Sequence, residues 1–186
     1  VHCYLGESAE GRYDIAPYTP GHEVGGQVIG IGSDVSTFKV GDKVTAECVL
    51  ACGHCANCKE GLMPSACLNF RELGFRPDSP GGMGEYIVIE EEYAYKIPDD
   101  WSYDWGAWVE TFSIGYFGIW GNGGYIDASD YALIRGAGPV GLSAAMVAKT
   151  SGAKVIVADV NAVRRERALK FGADVVLNPM DPDYYD

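Results

Sequence analysis

A glycine-rich turn between a predicted strand and a predicted helix constrains the fold of this chain more than any other feature. The turn, Gly136-Ala137-Gly138-Pro139-Val140-Gly141, follows the apolar run 132–134 and opens an apolar segment with helical character. A second strand is predicted at 154–159, a helix at 162–171, and a third strand from Asp174. Two strand-helix units followed by a strand predict an α/β arrangement, the first half of a doubly wound parallel sheet.

The same turn has the features of a dinucleotide-binding site. Gly136 permits the tight turn, Gly138 lets the backbone approach a pyrophosphate, and Gly141 allows the helix to pack closely on the strand. The helix that begins at Pro139 and Val140 offers amide donors and a positive dipole to the phosphates. The alternative is that these are ordinary turn glycines.

An acidic residue ends the next predicted strand at the distance that such a site requires. Asp159 lies about 20 residues beyond the turn, where its carboxylate would accept hydrogen bonds from both ribose hydroxyls. Because that carboxylate would repel a 2′-phosphate, the sequence favours NAD over NADP. Arg164, which we count among the expected cofactor contacts, and Arg165 lie nearby and could tolerate NADP. Asp159 could instead cap the helix that follows it.

Four cysteines crowd into one short loop. Cys52-Gly-His-Cys55-Ala-Asn-Cys58 is followed by Cys67, and four thiols in so short a segment suit a closed tetrahedral zinc site. Such a site is structural, because no position remains for substrate or water. His54 is interpreted as a loop residue and not as a fifth ligand, and a disulfide pair is the competing interpretation. Cys3 and Cys48 have no matching partner in the sequence and are expected to be small buried residues.

The part of the chain before the glycine turn has a different pattern. From Val24 to Glu47, β-branched residues alternate with Gly and Asp turns, which predicts short antiparallel strands. Glu85 to Glu90 alternates again and extends this β-rich part toward Pro98. A small β-barrel is therefore expected before the α/β part.

Charge and hydropathy exclude several classes of function. A formal net charge of -12 at pH 7 would repel a phosphate backbone, and no basic stripe offsets it, so nucleic acid is not an expected partner. The apolar runs are short and interrupted, so neither a membrane span nor a membrane partner is expected. The chain start has no signal-peptide pattern. We expect a cytoplasmic protein, a compartment in which clustered thiols bind metal.

Several further motifs coincide with those of one enzyme family. Besides the cysteine loop and the glycine turn, the matching segments are Gly21-His22-Glu23, Val40-Gly41-Asp42-Lys43-Val44, Gly82-Met83-Gly84-Glu85-Tyr86 and Val109-Glu110-Thr111-Phe112-Ser113. With these segments the chain resembles the zinc-containing medium-chain dehydrogenases, especially the polyol, butanediol and threonine dehydrogenase branch, over essentially its whole length. The resemblance implies a GroES-like barrel that carries a catalytic zinc, residues 1–120, followed by a Rossmann NAD-binding domain, residues 121–186.

The resemblance also implies roles for individual residues. His22 would be a catalytic zinc ligand, and Glu23 a second ligand or a carboxylate near the metal. Glu110 stands where the alcohol branch has a cysteine and the polyol branch a glutamate, which favours secondary alcohols or polyols as substrates. The family's first zinc ligand is a cysteine in a Cys-Gly-Ser/Thr-Asp-x-His segment, whereas this chain begins Val1-His2. His2 would then be the proton-relay histidine, and the catalytic cysteine would precede Val1.

Together these roles imply a zinc-dependent oxidoreductase that transfers hydride between a secondary alcohol or polyol and NAD. Zinc bound by a cysteine, His22 and a carboxylate would lower the pKa of the substrate hydroxyl, and His2 would release the proton. Because family members are commonly dimers or tetramers, we expect a homo-oligomer of the full-length enzyme. We expect no activity from this chain alone, because one zinc ligand and half of the cofactor domain would be missing. Two rivals stay open: a zinc-free relative of the quinone reductases, and a non-catalytic zinc-binding interaction module.

Overall fold

The computed structural model describes residues 18–184. The chain divides into two compact units between Glu110 and Thr111. The border between the units lies inside a helix. The domain border predicted at residue 120 stays a prediction. Within residues 18–184, no helix is both long and apolar enough to cross a membrane.

The first unit contains two small antiparallel sheets. Their strands are β1 (Gly25–Gln27), β2 (Lys43–Ala46), β3 (Val49–Leu50), β4 (Arg71–Glu72) and β5 (Ala94–Lys96). One sheet has the order β1-β2-β5, with Gly25 opposite Thr45 and Val44 opposite Lys96. The other sheet pairs β3 with β4. The short antiparallel strands predicted early in the chain are confirmed by β1 and β2.

The segment 85–90 packs on the core of this unit without joining a sheet. Ile87 and Ile89 lie against a buried cluster formed by Val24, Ala46, Leu50 and Leu73. Val88, between the two isoleucines, is 90% exposed. The strand predicted over this segment is wrong, because side chains that alternate between the core and the solvent do not guarantee a hydrogen-bonded partner strand.

A charged turn precedes β2. The Asp42 carboxylate accepts the backbone N–H of Lys39 at 3.0 Å and forms ion pairs with the ammonium groups of Lys39 and Lys96, the latter at 2.9 Å. The hydrogen bonds from Lys39 and then from Lys96 hold the pKa of the Asp42 carboxyl well below its ordinary value. Because Lys96 belongs to β5, this ionic contact ties the turn to the far edge of the sheet.

The second unit is built on a parallel sheet. Its elements are β6 (Tyr131–Arg135), α3 (Pro139–Thr150), β7 (Lys154–Ala158), α4 (Ala162–Lys170) and β8 (Val175–Leu177). The strand order is β6-β7-β8, with Ile134 opposite Val157 and Val157 opposite Val176. The predicted sequence of three strands and two helices is confirmed. Its central strand is an almost uninterrupted apolar run, as expected of a parallel strand that is covered on both faces.

Two helices and three short 3₁₀ turns complete the described chain. They are α1 (Ala56–Lys59), α2 (Tyr103–Trp120) and the 3₁₀ segments Pro64–Ala66, Glu91–Tyr93 and Gly121–Gly123. The Ser102 hydroxyl accepts the backbone N–H of Trp105 at 3.4 Å, and Asp104 lies in the first turn of α2. Such a start is typical of a helix N-terminus. Helix α2 was not among the predicted elements, because its apolar residues form no single stripe.

Candidate metal centres and dinucleotide site

Three potential metal ligands from distant parts of the first unit lie together. One ligand atom each of His22, Glu23 and Glu110 lies within 4.8 Å of the other two. His22 and Glu110 are half-buried, and Glu23 is exposed. Catalytic zinc sites use imidazole nitrogen and carboxylate oxygen as ligands and keep one position open. The residues of this group therefore fit a zinc ion.

Backbone hydrogen bonds and an aromatic contact hold His22 in place. Three N–H groups in 81–83 donate to carbonyl oxygens in 19–21 at distances of 2.7 to 2.9 Å. The ring of Phe75 stacks on the His22 imidazole, with centroids 5.0 Å apart. No sequence pattern connects Phe75 with His22, because the two rings come from loops that are distant in the chain. The hydrogen bonds thus fix the backbone next to His22, and the stack with Phe75 restricts the orientation of its ring.

Close packing of α2 on β1 brings Glu110 toward His22. A Cβ atom at Gly25 would overlap the carbonyl oxygen of Tyr103 and lie 2.7 Å from the backbone nitrogen of Ala107. The strand can approach the helix this closely only because residue 25 has no side chain. His22 precedes β1 by a few residues, and Glu110 follows the contact with Ala107 by less than one helical turn.

Cys48 lies beside Glu110, a contact that sequence analysis did not identify. The half-buried Cys48 Sγ donates to Glu110 Oε1 at 3.5 Å. Burial, and after it the negative charge of Glu110, raise the pKa of the Cys48 thiol to about 12. The thiol is therefore a hydrogen-bond donor at neutral pH. The two residues are 62 positions apart, so no local pattern in the sequence links them.

The four loop cysteines form a second group of potential metal ligands. The Sγ atoms of Cys52, Cys55, Cys58 and Cys67 all lie within 4.8 Å of one another. The Cys55 Sγ is 3.4 Å from that of Cys58 and 3.9 Å from that of Cys67. These separations are well above the length of an S–S bond, about 2.05 Å, and all four residues are free cysteines. Four sulfurs at such distances can surround one zinc ion.

Backbone amides and neighbouring thiols shift the pKa values of the cysteines in this group. The N–H of Cys58, followed by that of Leu68, lowers the pKa of Cys55 to about 6. A hydrogen bond with Cys55 raises the pKa of Cys58 to about 12, because one proton is shared between two sulfurs. Asn69 donates its backbone N–H to the Cys67 Sγ at 3.4 Å. Amide donors of this kind stabilise thiolates, and thiolates are the form in which cysteine binds zinc.

The remaining histidines lie elsewhere. His54 is exposed, and its Nδ1 lies 2.5 Å from the carbonyl oxygen of Cys52, which makes it a loop residue in contact with the backbone. His2, the predicted proton relay, and Cys3 lie outside the described residues 18–184.

The glycine turn joins β6 to α3. Gly136 has a φ of +99° and donates its N–H to the Ala158 carbonyl at 2.7 Å. A Cβ atom at Gly141 would overlap the carbonyl oxygen of Gly136, so the helix can begin this close to the strand only with glycine there. A Cβ atom at Gly138 would meet no protein atom within 4 Å. The protein therefore leaves open space in front of Gly138.

The first turn of α3 faces this open space with its helix N-terminus. Gly138 is the N-cap residue and Pro139 is the first helical residue, a position where the missing proline N–H breaks no hydrogen bond. Val140 follows and is 45% exposed. The N-terminus of a helix of this length attracts negative charge through its free N–H groups and its dipole.

Asp159 is held against the glycine turn. Its Oδ2 accepts the N–H of Ala137 at 2.8 Å, and its Oδ1 accepts the N–H of Asn161 at 2.7 Å. These N–H groups, Ala137 first, lower the pKa of the carboxyl, which is 6% exposed. Each carboxylate oxygen has a second lone pair, so capacity to accept remains. Arg164 Nη1 lies 3.9 Å from Oδ2, and Arg165 Nη1 donates to the Asp159 carbonyl at 2.8 Å.

The helix after Asp159 has its own cap. The side chain of Asn161 accepts the N–H of Arg164 at 3.1 Å and is the N-cap residue of α4. The alternative in which Asp159 caps this helix is therefore wrong.

Comparison with known protein families and sequences gives long matches. The profile of the alcohol dehydrogenase GroES-like domain matches residues 2–99, and the zinc-binding dehydrogenase profile matches residues 139–186. L-threonine 3-dehydrogenase of Escherichia coli (strain K12 / DH10B) is 38% identical over 184 residues, which are 96% of this chain and 51% of that protein. The chain thus spans about half the length of the curated relatives it matches.

Two solved structures are similar in both sequence and fold, and one of them contains NADP and the other NADH. A zinc-binding dehydrogenase from Sinorhizobium meliloti 1021 bound to NADP has a TM-score of 0.80 and 30% identity, covering 88% of this chain and 46% of its own. An alcohol dehydrogenase from Escherichia coli CFT073 in complex with NADH has a TM-score of 0.83 and 32% identity, covering 97% and 51%. The GroES-like profile alone matches more than half of the residues of this chain. The chain therefore belongs to the alcohol dehydrogenase family of zinc-containing medium-chain dehydrogenases.

Proposed function

We propose that the protein is a zinc-dependent oxidoreductase that transfers hydride between a secondary alcohol or polyol and NAD. The observation that carries the proposal is the convergence of His22, Glu23 and Glu110 within 4.8 Å. One imidazole and two carboxylates are a ligand set for a zinc site with an open position, in contrast to the closed set of four cysteines. Membership of the dehydrogenase family supports the same reaction.

His22, Glu23 and Glu110 of the first unit would hold the zinc ion at which the substrate binds. Zinc held there would supply a Lewis acid that lowers the pKa of the substrate hydroxyl. His22 presents a ring nitrogen whose direction is restricted by the stack with Phe75. Glu110 presents a half-buried carboxylate, and the exposed Glu23 supplies a further ligand or a negative charge that attracts the cation.

We assign release of the substrate proton to His2, as the family resemblance implies. An imidazole with an ordinary pKa of about 6.5 can take up and release a proton near neutral pH. This assignment is tested by the activity of the full-length protein.

The four loop cysteines are proposed to hold a second, structural zinc. Cys52, Cys55, Cys58 and Cys67 fill a tetrahedral shell by themselves, which leaves no position for substrate. This zinc would tie together residues 52–67, a segment with only one short α-helix and one 3₁₀ turn. Its expected contribution is to stability.

The cofactor is proposed to be NAD, bound at the glycine turn of the second unit. Gly136, Gly138 and Gly141, with the first turn of α3, would face the pyrophosphate, and Asp159 would accept from the ribose hydroxyls. Structurally similar proteins contain NADH or NADP, so the choice depends on local charge. The anionic carboxylate of Asp159 beside the ribose would repel the 2′-phosphate of NADP, whereas the positive charge of Arg164 would attract it.

This preference is tested by titrating the full-length protein with NADH and NADPH. We expect NADH to bind at least about tenfold more tightly, a difference of about 1.4 kcal/mol. Asp159→Ala should reduce the ratio, whereas Glu166→Gln, which neutralises an exposed carboxylate on α4, should leave it unchanged. Tighter binding of NADPH to the wild-type protein would contradict the proposal.

A secondary alcohol is proposed as the substrate because of Glu110 and the relatives. Glu110 matches the glutamate of the polyol branch, and the relative from Escherichia coli K12 is an L-threonine 3-dehydrogenase, whose name specifies a secondary carbon. The dehydrogenase relatives support a small-molecule substrate, and the net charge of -12 disfavours nucleic acid as a partner. We propose a cytoplasmic homo-oligomer, a dimer or a tetramer, for the full-length protein.

The domain organisation is part of the proposal. Residues 1–120 would belong to a GroES-like barrel, supported by the antiparallel strands β1, β2 and β5. Residues 121–186 would be the first half of a Rossmann domain, supported by the parallel order β6-β7-β8.

Metal content separates this function from its rivals. In the full-length protein, His22→Ala should abolish oxidation of secondary alcohols and reduce zinc from two ions per chain to one, with the cysteine site still filled. His54→Ala is the matched control, because this histidine is exposed and touches only the loop backbone in the described contacts. Turnover by His22→Ala would contradict the proposal. A wild-type protein without metal would favour the quinone reductase alternative, and one with a single zinc and no affinity for NADH would favour the interaction module.

A further inference from the structure

The thiol of Cys48 contacts the carboxylate of the candidate catalytic metal group. Its Sγ lies 3.5 Å from Glu110 Oε1, within the range of a hydrogen bond that involves sulfur, and the thiol is the donor. Cys48 stands in the connection between β2 and β3, apart from the four loop cysteines. No role in metal binding or catalysis follows for it from the family motifs.

The backbone around Cys48 is fixed by its neighbours. The Glu47 carboxylate accepts the N–H groups of Cys48 and Val49 at 3.1 and 3.3 Å. The carbonyl oxygen of Cys48 accepts the N–H of Leu73 at 2.9 Å. A short side chain on a backbone held at three points has little freedom, so the sulfur is a fixed point against which a longer side chain can be oriented.

Glu110 is the side chain that needs such orientation. It extends from α2 through three rotatable bonds, and a half-buried carboxylate of this length can adopt several rotamers. A donor on Oε1 restricts the carboxylate and uses only one of the two lone pairs of that oxygen. Residues that hydrogen-bond to a metal ligand typically change metal affinity by about 10- to 100-fold.

We propose that Cys48 is a positioning residue for the metal site: its thiol hydrogen-bonds to Glu110 and aims that carboxylate at a zinc ion shared with His22. The inference rests on the proposed function, since it concerns the same site. It assigns Cys48 no contact with substrate or metal. A thiol is a weak donor, so the effect belongs at the lower end of the range for such partners, about tenfold.

Zinc affinity at the His22 site tests the proposal. Full-length protein with zinc in the cysteine site would be titrated against a chromophoric chelator, comparing Cys48→Ala, Cys48→Val and Cys48→Ser with the wild type. Ala and Val remove the donor and should raise the zinc Kd about tenfold, whereas Ser keeps a donor and should remain within about threefold. Val49→Ala, a change at the next residue that keeps the thiol, should bind zinc as the wild type does.

Any of three outcomes would overturn the positioning role. Equal zinc affinity of the wild-type, Ala and Ser proteins would show that the hydrogen bond has no effect on the metal, and equal weakening by Ser and Ala would show that packing alone is responsible. Cobalt placed at the His22 site gives a further readout, because loss of thiolate-to-cobalt absorption in Cys48→Ser would make Cys48 a direct ligand and contradict the proposal. A wild-type protein that holds metal only at the cysteine site would instead overturn the proposed function and this inference together.

Discussion

The ring of Phe75 lies flat against the imidazole of His22, with centroids 5.0 Å apart and ring planes 24° apart. Rotation of the imidazole about its Cβ–Cγ bond would lose this stacked contact. The contact therefore favours one orientation of the imidazole plane of His22, the candidate metal ligand.

Loss of the Phe75 ring should affect both stability and metal binding. Because the ring is half-buried, Phe75→Ala should lower the free energy of unfolding by about 1–3 kcal/mol. The imidazole would then sample other ring planes, and zinc affinity at the His22 site should fall about tenfold. Denaturant unfolding and chelator competition measure the two effects. Phe75→Tyr keeps the stack and serves as the control, and unchanged zinc affinity in Phe75→Ala would contradict the argument.

A second prediction concerns the approach of β1 to α2. Gly25→Ala places a Cβ atom on the carbonyl oxygen of Tyr103, so the helix must move away from the strand. We expect a loss of about 1–3 kcal/mol in stability, together with loss of zinc from the His22 site, since Glu110 moves with the helix. Gly26→Ala is the matched control in the same strand, because a Cβ atom there meets nothing within 4 Å. Thermal unfolding and metal analysis compare the two variants, and equal effects would contradict the prediction.

The parts of the fold that the sequence predicted are those in which the pattern and the environment agree. The strands and helices of the second unit follow from a buried apolar run, a glycine turn and an amphipathic helix that ends near Gly172, whose φ is +101°. The prediction for the segment 85–90 was wrong because its exposed Val88 and half-buried Ile89 alternate without a partner strand. Helix α2 was not predicted, because its own apolar side chains are spread around the whole helix and do not form one stripe.

The candidate metal ligands could be predicted from motifs, but their surroundings could not. His22 and Glu110 stand in segments that resemble family motifs, and zinc chemistry favours their side-chain types. Cys48 and Phe75 touch these residues only after the chain has folded, at separations for which no periodic or turn pattern exists. The sequence of a single protein therefore indicates ligands more readily than the residues that orient them.

The ionic contacts of Asp42 predict a defined dependence of stability on pH. The pKa of this carboxyl is lowered in the folded state, so the contacts contribute fully above the unfolded pKa of about 3.9 and are lost as the pH falls toward the folded value. Asp42→Asn should lower the Tm at neutral pH, and the difference from the wild type should shrink below about pH 4. Thermal unfolding between about pH 7 and pH 3 measures this. A difference that stays constant over that range would contradict the assignment, and Asp34→Asn, at an exposed carboxylate, is the control.

Substitutions of two glycines in the glycine turn should distinguish an effect on stability from an effect on cofactor binding. Gly141→Ala forces a Cβ atom onto the carbonyl oxygen of Gly136 and should lower stability by about 1–3 kcal/mol, because strand and helix must separate. Gly138→Ala meets no protein atom within 4 Å and adopts an ordinary φ of -77°, so stability should hardly change. If a pyrophosphate approaches the backbone at this point, however, the added methyl group occupies its place, and NADH affinity should fall about tenfold or more. Thermal unfolding without cofactor, followed by NADH titration, distinguishes the two effects, and a Gly138→Ala protein that binds NADH normally would move the cofactor away from this turn.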